Sequence, residues 1–175
     1  MTGAYYNRAL YHHQAGNLER AKADYGAVIR LDPKMINAYG NRATIHYAQG
    51  AFDLALADYE TALGLAPGNA GLLHQIGVVH LAQGQVGRAI ARFDQALAIA
   101  PKAARFLFSR GRAYARQGDF ARAHADFAAA HEAYRKHQES KACLAAIATA
   151  MDALRRKADV PPPPDYCLRD PALRA

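Results

Sequence analysis

Hydrophobic residues recur along this chain with two periods, a short one of three to four residues and a long one of 34 residues. The short period is typical of amphipathic α-helices. The long period repeats whole columns of matching chemistry, and its clearest column is Gly16, Gly50, Gly84 and Gly118. Such a repeat predicts equal helical units that stack on one another, because a single helix pair cannot bury its apolar face alone.

Three more columns keep the 34-residue spacing. Alanine, which lets two helices approach closely, occupies Ala21, Ala55, Ala89 and Ala123. An aromatic ring, which fills space against the neighbouring pair, occupies Tyr25, Tyr59, Phe93 and Phe127. Proline, which stops the second helix, occupies Pro33, Pro67 and Pro101. The glycines suit a left-handed conformation at the end of each first helix.

The pattern predicts first helices at about 3–15, 37–49, 71–83 and 105–117, and second helices at about 18–31, 52–65, 86–99 and 120–136. A ninth helix is predicted at about 139–157, with an apolar stripe at Leu144, Ile147, Met151 and Leu154. It suits the polar cap that a helical stack needs at its end. The following residues, 159–175, contain four consecutive prolines and are interpreted as a spacer or a ligand for an aromatic groove.

These columns resemble the tetratricopeptide repeat (TPR) family. The second unit shows it best, in the strings Ala38-Tyr39-Gly40-Asn41-Arg42-Ala43 and Gln49-Gly50-Ala51-Phe52-Asp53-Leu54-Ala55. The resemblance implies an all-α fold, a right-handed α-solenoid of four helix-turn-helix units plus a C-terminal capping helix. The expected bounds are about 2–35, 36–69, 70–103 and 104–137 for the units, 138–158 for the cap and 159–175 for a flexible proline-rich tail.

The resemblance also implies a ligand surface, because the first helices of family members line a concave groove. Transferred by position, the groove residues are Tyr6, Asn7, Leu10, His13, Gln14, Asn37, Asn41, Thr44, Tyr47, His74, Gln75, Val78, Leu81, Arg105, Ser109, Arg112 and Arg116. Asn7 and Asn41 are expected to hold the backbone of an extended peptide, since the Asn side chain both donates and accepts. The arginines form one helical stripe that either receives a carboxylate or remains a solvated cationic face.

One well-known activity of the family does not transfer. Chaperone-binding members grip a peptide's terminal carboxylate with Lys, Asn and Arg side chains spread over three units. Asn41 matches the central Asn of that clamp, but Tyr6, Leu10, Gly71 and Gln75 occupy the positions where its partners are expected. Carboxylate clamping of that kind is therefore not predicted.

Two columns depart from the family pattern. The column that usually holds Tyr holds His12, His46 and His80. These are interpreted as packing histidines and no metal site is predicted, because helix pairs stack about 8–10 Å apart while a zinc ligand lies about 2 Å from its metal. The column that usually holds Leu holds Arg8, Arg42 and Arg110. Their stems are expected to pack while the guanidinium groups reach water or a carboxylate.

The net charge of +7 is uneven, since residues 1–101 hold 8 Lys/Arg against 7 Asp/Glu and residues 102–175 hold 14 against 8. The basic part leaves open an alternative function, binding of an acidic partner or a nucleic acid. Nucleic acid is the less favoured partner, because it would need exposed aromatic rings among the basic residues and Phe106 is expected in the core.

No phosphate-binding loop, HExxH motif or nucleophile motif is present, so the chain is predicted to be neither an enzyme nor a cofactor-binding protein. Cys143 and Cys167 match no metal spacing and are too few for a disulfide framework. No apolar run or signal-type segment is visible, which makes the cytoplasm the default location without membrane contact. The predicted function is a non-catalytic scaffold that binds a protein or peptide in its groove; the oligomeric state stays open.

Overall fold

The computed structural model describes residues 1–136, 141–156, 158 and 160, and all its regular secondary structure in these ranges is helical. The helices are α1 (Thr2–Gln14), α2 (Leu18–Leu31), α3 (Ile36–Ala48), α4 (Phe52–Leu65), α5 (Ala70–Ala82), α6 (Val86–Ile99), α7 (Ala104–Gln117), α8 (Phe120–Lys136) and α9 (Lys141–Arg155). The four second helices have the predicted bounds, and the four first helices begin one residue earlier than predicted. Among the described helices none is long and apolar enough to span a membrane.

The predicted glycine caps are confirmed. After α1, Gly16 has a φ of 76°, and its three counterparts have φ values of 75° to 85°. The Gly16 N–H donates to the carbonyl of His13 at 3.1 Å, and the next N–H, of Asn17, donates to His12 at 2.8 Å. This pair of bonds satisfies carbonyls that the helix end would otherwise leave open, and only glycine adopts such a φ without strain.

The chain divides into two compact units, Met1–Val79 (unit 1) and His80–Ala175 (unit 2), with the division inside α5. Unit 1 has two core clusters. The first combines Ala9, Ala21, Tyr25 and Val28 of α1 and α2 with Ala38 and Ile45 of α3. The second combines Ala43, Ala55, Tyr59 and Ala62 of α3 and α4 with Leu72, Ile76 and Val79 of α5. Thus α3 and α5 each pack one face on the preceding helix pair.

In unit 2, α7 packs on both α6 and α8, and α9 packs on α8. The core is aromatic, and its wholly or almost wholly buried rings are Phe93, Phe106, Phe108 and Phe127. Gly111 lies where α7 comes closest to the Phe127 ring, because a Cβ built on it would be 2.7 Å from Phe127 Cε1. The alanine and aromatic columns are thus buried in both units, as their repeat spacing predicted.

A ladder of ion pairs explains the arginine column. In three helix pairs, the Arg Nε and Nη2 atoms donate to both carboxylate oxygens of the Asp that lies 16 residues later on the second helix. The pairs, at 2.7–2.8 Å, are Arg8–Asp24, Arg42–Asp58 and Arg110–Asp126. The structural interpretation of these arginines is confirmed, since each guanidinium reaches a carboxylate in forked geometry.

The apolar stripe predicted for α9 is buried only in part. Its buried side chains include Cys143, Ile147 and Leu154, whereas Leu144 and Met151 are only half-buried. Cys143 takes part in a disulfide bond, so the low cysteine count was a wrong guide to this residue. Cys167 and the proline-rich segment lie outside the described residues.

Candidate functional site

The side chains of Tyr6, Asn37 and Asn41 form a polar group on unit 1, called here the amide cluster. Asn41 Nδ2 donates to the Tyr6 hydroxyl oxygen at 3.1 Å, across α1 and α3. Burial raises the pKa of Tyr6, and hydrogen bonds with Asn41 and Asn37 offset part of the rise. The phenol is therefore neutral at pH 7 and keeps its own proton for donation.

The cluster keeps unused hydrogen-bonding capacity. Asn41 donates to Tyr6 through its nitrogen, and it also lies near enough to the Tyr25 hydroxyl to offset part of the rise that burial causes in the pKa of that phenol. Asn7 and Asn37 are both exposed, and the Asn7 amide makes no side-chain bond within those same ranges. A side-chain amide offers two donors and an acceptor, which match the C=O and N–H of a peptide backbone. Three asparagines thus present this pattern on one unit.

Tyr25 lies beneath the amide cluster, a position that the groove prediction missed. Its ring centroid is 6.0 Å from that of Tyr6 and 6.2 Å from that of His13. The residue is wholly buried, and its hydroxyl makes no well-formed hydrogen bond within the described part of the chain. Burial raises the pKa of Tyr25 to about 12, although Asn41 lies near enough to offset part of the effect of burial. A buried hydroxyl of this kind costs about 1–3 kcal/mol relative to a satisfied one, so the polar arrangement is incomplete.

A sequence signal for Tyr25 existed. The aromatic column is Tyr in the first two helix pairs and Phe in the last two, so a hydroxyl is added only in unit 1. In the second pair, the Tyr59 hydroxyl lies 2.9 Å from Thr44 Oγ1, and that threonine also donates to the Gly40 carbonyl at 3.0 Å. Thr44 is therefore engaged in the fold, unlike the exposed asparagines.

Other predicted groove residues of unit 1 pack on the core and support the fold. Leu10 and Tyr47 are half-buried and pack against the two core clusters, and Tyr47 lies 5.9 Å from the Phe52 ring. On α5, Gln75 and Val78 are half-buried, but His74 is only 1% exposed. In this conformation His74 offers no surface to a ligand.

The arginines of the predicted stripe in unit 2 make contacts within the fold. Arg116 Nη1 donates to the carbonyl of Leu81 at 2.8 Å. The Arg105 guanidinium lies 4.7 Å from the centre of the Phe106 ring. Arg112 is half-buried, and Ser109 in the same stripe is 1% exposed. Only part of each arginine therefore faces solvent.

The aromatic residues near that stripe do not present their faces. Phe106 and Phe108 are 2% and 3% exposed, so the expectation of a core position for Phe106 is confirmed. Stacking on unpaired bases requires exposed rings among the basic residues. These two phenylalanines therefore give no base-stacking platform.

The histidine column is distributed over separate helix pairs. His80 is buried and its Nδ1 lies 3.0 Å from Gln85 Oε1, which fits a packing histidine. Burial lowers the pKa of His46. Within the described residues no three His, Cys, Asp or Glu side chains converge as metal ligands would.

Family models of the tetratricopeptide repeat match the chain at residues 3–35, 34–102 and 74–138. Since these matches together run through all four helix pairs, the chain belongs to the TPR family, and its fold is a helical solenoid. No curated protein sequence matches the chain.

Solved structures of other TPR proteins have the same fold. MamA is 20% identical with a TM-score of 0.73, and the match covers 79% of this chain and 81% of MamA. Pseudomonas aeruginosa pilF is 23% identical with a TM-score of 0.75, covering 89% of this chain and 68% of pilF. YrrB, described as a TPR protein with an unusual peptide-binding site, is 25% identical with a TM-score of 0.64, covering 87% of this chain and 78% of YrrB. TPR membership makes the chain a protein–protein interaction scaffold.

Proposed function

We propose that this scaffold binds an extended peptide segment of a partner protein on unit 1, across the exposed sides of α1 and α3. Asn7, Asn37 and Asn41 bind the peptide backbone, and the half-buried rings of Tyr6 and Tyr47 contact its side chains. The role is non-catalytic and needs no cofactor.

The amide cluster is the observation that carries the proposal. It combines the exposed Asn7 and Asn37 with a donor–acceptor bond between Asn41 and Tyr6, above a Tyr25 hydroxyl that makes no well-formed hydrogen bond in the described residues. Asn7 and Asn37 are exposed and can exchange water for a ligand, whereas a buried group such as the Tyr25 hydroxyl is costly without a well-formed hydrogen bond. A peptide backbone supplies the missing donors and acceptors at regular intervals.

Two comparisons support this choice. The family consists of interaction modules, and the similar protein YrrB has a peptide-binding site according to its description. The rival function, nucleic-acid binding through the basic part, has no comparable support, because Phe106 and Phe108 are buried. An acidic segment of the same partner remains a proposed ligand for the exposed parts of Arg105, Arg112 and Arg116.

The test starts with peptides selected from a random display library on the immobilised full chain. The dissociation constant of a selected peptide is then measured by calorimetry for wild type and for Asn41→Leu, which keeps the branched shape of the side chain and removes both hydrogen-bonding groups. Loss of two bonds of about 0.7 kcal/mol each weakens binding about tenfold. The matched control is Gln95→Leu, an exposed amide on α6.

Equal affinity of Asn41→Leu and Gln95→Leu for every selected peptide would contradict the proposal. So would a library that yields no binder at all. Thermal melting of both variants shows whether a loss of affinity comes from a loss of folded protein.

A further inference from the structure

One face of α1, composed of Ala4, Arg8 and Tyr11, is exposed, although its repeat counterparts are buried or, for Arg42 and Arg110, half-buried. These residues lie at steps of four and three and therefore share a face; we call it the end face. The Arg8 side chain is 57% exposed and Tyr11 is 67% exposed. The counterparts of Tyr11, in contrast, are the buried residues Ile45, Val79 and Ala113.

The later helices show what such a face binds. On α3, Ala38 and Ile45 pack into the core of the preceding pair, against Tyr25 and Val28 of α2. On α5, Val79 similarly packs with residues of α3 and α4. The equivalent faces of α3 and α5 thus pack against the second helix of the preceding pair. The end face has the same position on α1, and no described element packs on it.

Arg110 shows that the occupant of such a face can carry a carboxylate, whereas Arg42 pairs in the described residues only with Asp58 of its own helix pair. Arg110 holds Asp126 with Nε and Nη2, and its Nη1 donates to Asp94 of the preceding helix α6 at 2.7 Å.

Arg8 holds Asp24 with the same two nitrogens, at 2.7 Å each. Within the described residues no carboxylate meets Arg8 Nη1. The Nη1 atom, which donates to a second carboxylate in the fourth helix pair, is therefore available to do so in the first pair.

The surface beside Arg8 is also shaped for a polar group. A cavity of about 310 Å³ is lined by Arg8, His12, Arg20, Ala23 and Asp24. The His12 Nδ1 atom is buried there without a hydrogen-bond partner in the described part of the chain. Two guanidinium groups against one carboxylate leave the lining positive, so the cavity complements an acidic side chain.

We propose that the end face binds an amphipathic helix of a partner protein that places an Asp or Glu against Arg8 Nη1 and small apolar residues against Ala4 and Tyr11. This interaction is separate from the amide cluster, because Ala4 and Arg8 lie on the opposite side of α1 from Tyr6. The scaffold therefore has two binding surfaces, one for an extended segment and one for a helix.

The probe is a synthetic peptide of residues 86–99, the α6 sequence that occupies the equivalent face of α7 through Asp94. Its ends are blocked, and a side-chain staple that replaces Arg88 and Arg92 keeps it helical. Fluorescence anisotropy of the labelled peptide with the full chain gives the dissociation constant. Tyr11→Ala removes the exposed apolar contact, and Leu54→Ala is its matched control because Leu54 is also an exposed hydrophobic residue.

Tyr11→Ala is expected to weaken binding at least about fivefold, which corresponds to about 1 kcal/mol. Replacing Asp94 of the peptide with Asn is expected to weaken it about three- to tenfold, because a charge-assisted bond becomes a neutral one. The variants Leu54→Ala and Asn41→Leu should bind like wild type. The second of these separates the end face from the proposed peptide surface.

Three results would overturn the inference. The first is no binding up to about 1 mM peptide. The second is equal binding by wild type and Tyr11→Ala. The third is a wild-type dimer in light scattering that Tyr11→Ala converts to monomer, because a second copy of the chain would then occupy the end face.

Discussion

Gly111→Ala tests the helix packing of unit 2 at its tightest point. The added Cβ would lie 2.7 Å from Phe127 Cε1, 2.8 Å from Cδ1 and 3.2 Å from the carbonyl oxygen of Ala123. Carbon atoms in contact normally lie about 3.5–4.0 Å apart, so the ring must retreat by nearly 1 Å. Phe127 is wholly buried, and its centroid is 5.1 Å from that of Phe108. Because the ring is buried and packed on Phe108, we expect the clash to push α7 and α8 apart.

Two free-energy contributions determine how much Gly111→Ala changes the stability. Overpacking of a buried site costs about 1–3 kcal/mol, and the clash with two ring atoms and a backbone oxygen favours the upper half of that range. Alanine regains about 0.8–1 kcal/mol over glycine in a helix interior. The expected net loss in the free energy of unfolding is therefore about 1–2 kcal/mol.

Gly40→Ala is the matched control, because Gly40 also lies inside the first helix of its pair. There a Cβ would meet only Leu72 Cδ2, at the ordinary contact distance of 4.0 Å. The helix propensity is then unopposed, and the substitution should stabilise the protein by about 0.5–1 kcal/mol.

The assay is urea unfolding followed by circular dichroism, since the chain has no tryptophan. The midpoint should fall for Gly111→Ala and rise for Gly40→Ala, with little change in slope. Adding Phe127→Leu to Gly111→Ala should cost less than the sum of the single changes, because the smaller side chain relieves the clash. A Gly111→Ala protein as stable as Gly40→Ala would refute the packing argument.

Two further predictions concern ionisable groups. Arg42→Met should lower the free energy of unfolding by about 1–3 kcal/mol, because it leaves the buried Asp58 carboxylate unpaired, and more than Arg8→Met, whose arginine is more exposed; equal costs in urea titrations would contradict this. Burial lowers the pKa of His46, so the unfolded state binds more protons and stability falls as the pH drops below about 6.5. His46→Gln should flatten this part of the stability–pH curve, and an unchanged curve would count against the burial of His46.

The positions of the helices along the chain follow from the sequence, because glycine caps, prolines and buried alanines are local or periodic signals. Gly16 requires its left-handed φ whatever the distant partners are. The ends of α2, α4 and α6 were predicted correctly for a similar reason, since Pro33, Pro67 and Pro101 follow soon after the last turn of each helix.

Contacts between helices were harder to predict. Pairing of Arg8 with Asp24 needs the antiparallel geometry of the helix pair, which residue spacing alone does not reveal. A signal was nevertheless present, because the third unit replaces the arginine and the aspartate together, by Ile76 and Arg92. The disulfide of Cys143 had no such signal, since its formation depends on distance in the folded chain.

The candidate site was likewise predictable only in part. Family register located the helices that carry Asn37 and Asn41, and their amide chemistry indicated a peptide ligand. Burial of His74 and Ser109 was not predictable from that register, because it depends on how tightly neighbouring helices pack. The contact of Tyr6 with Asn41 depends on the same packing.

The most direct test of peptide binding on unit 1 is an NMR titration of the isotope-labelled full chain with a library-selected peptide. The account predicts that the side-chain amide signals of Asn7, Asn37 and Asn41 shift, with backbone shifts concentrated on α1 and α3. Binding accompanied only by shifts in α7 and α8, with these three amides unchanged, would contradict it.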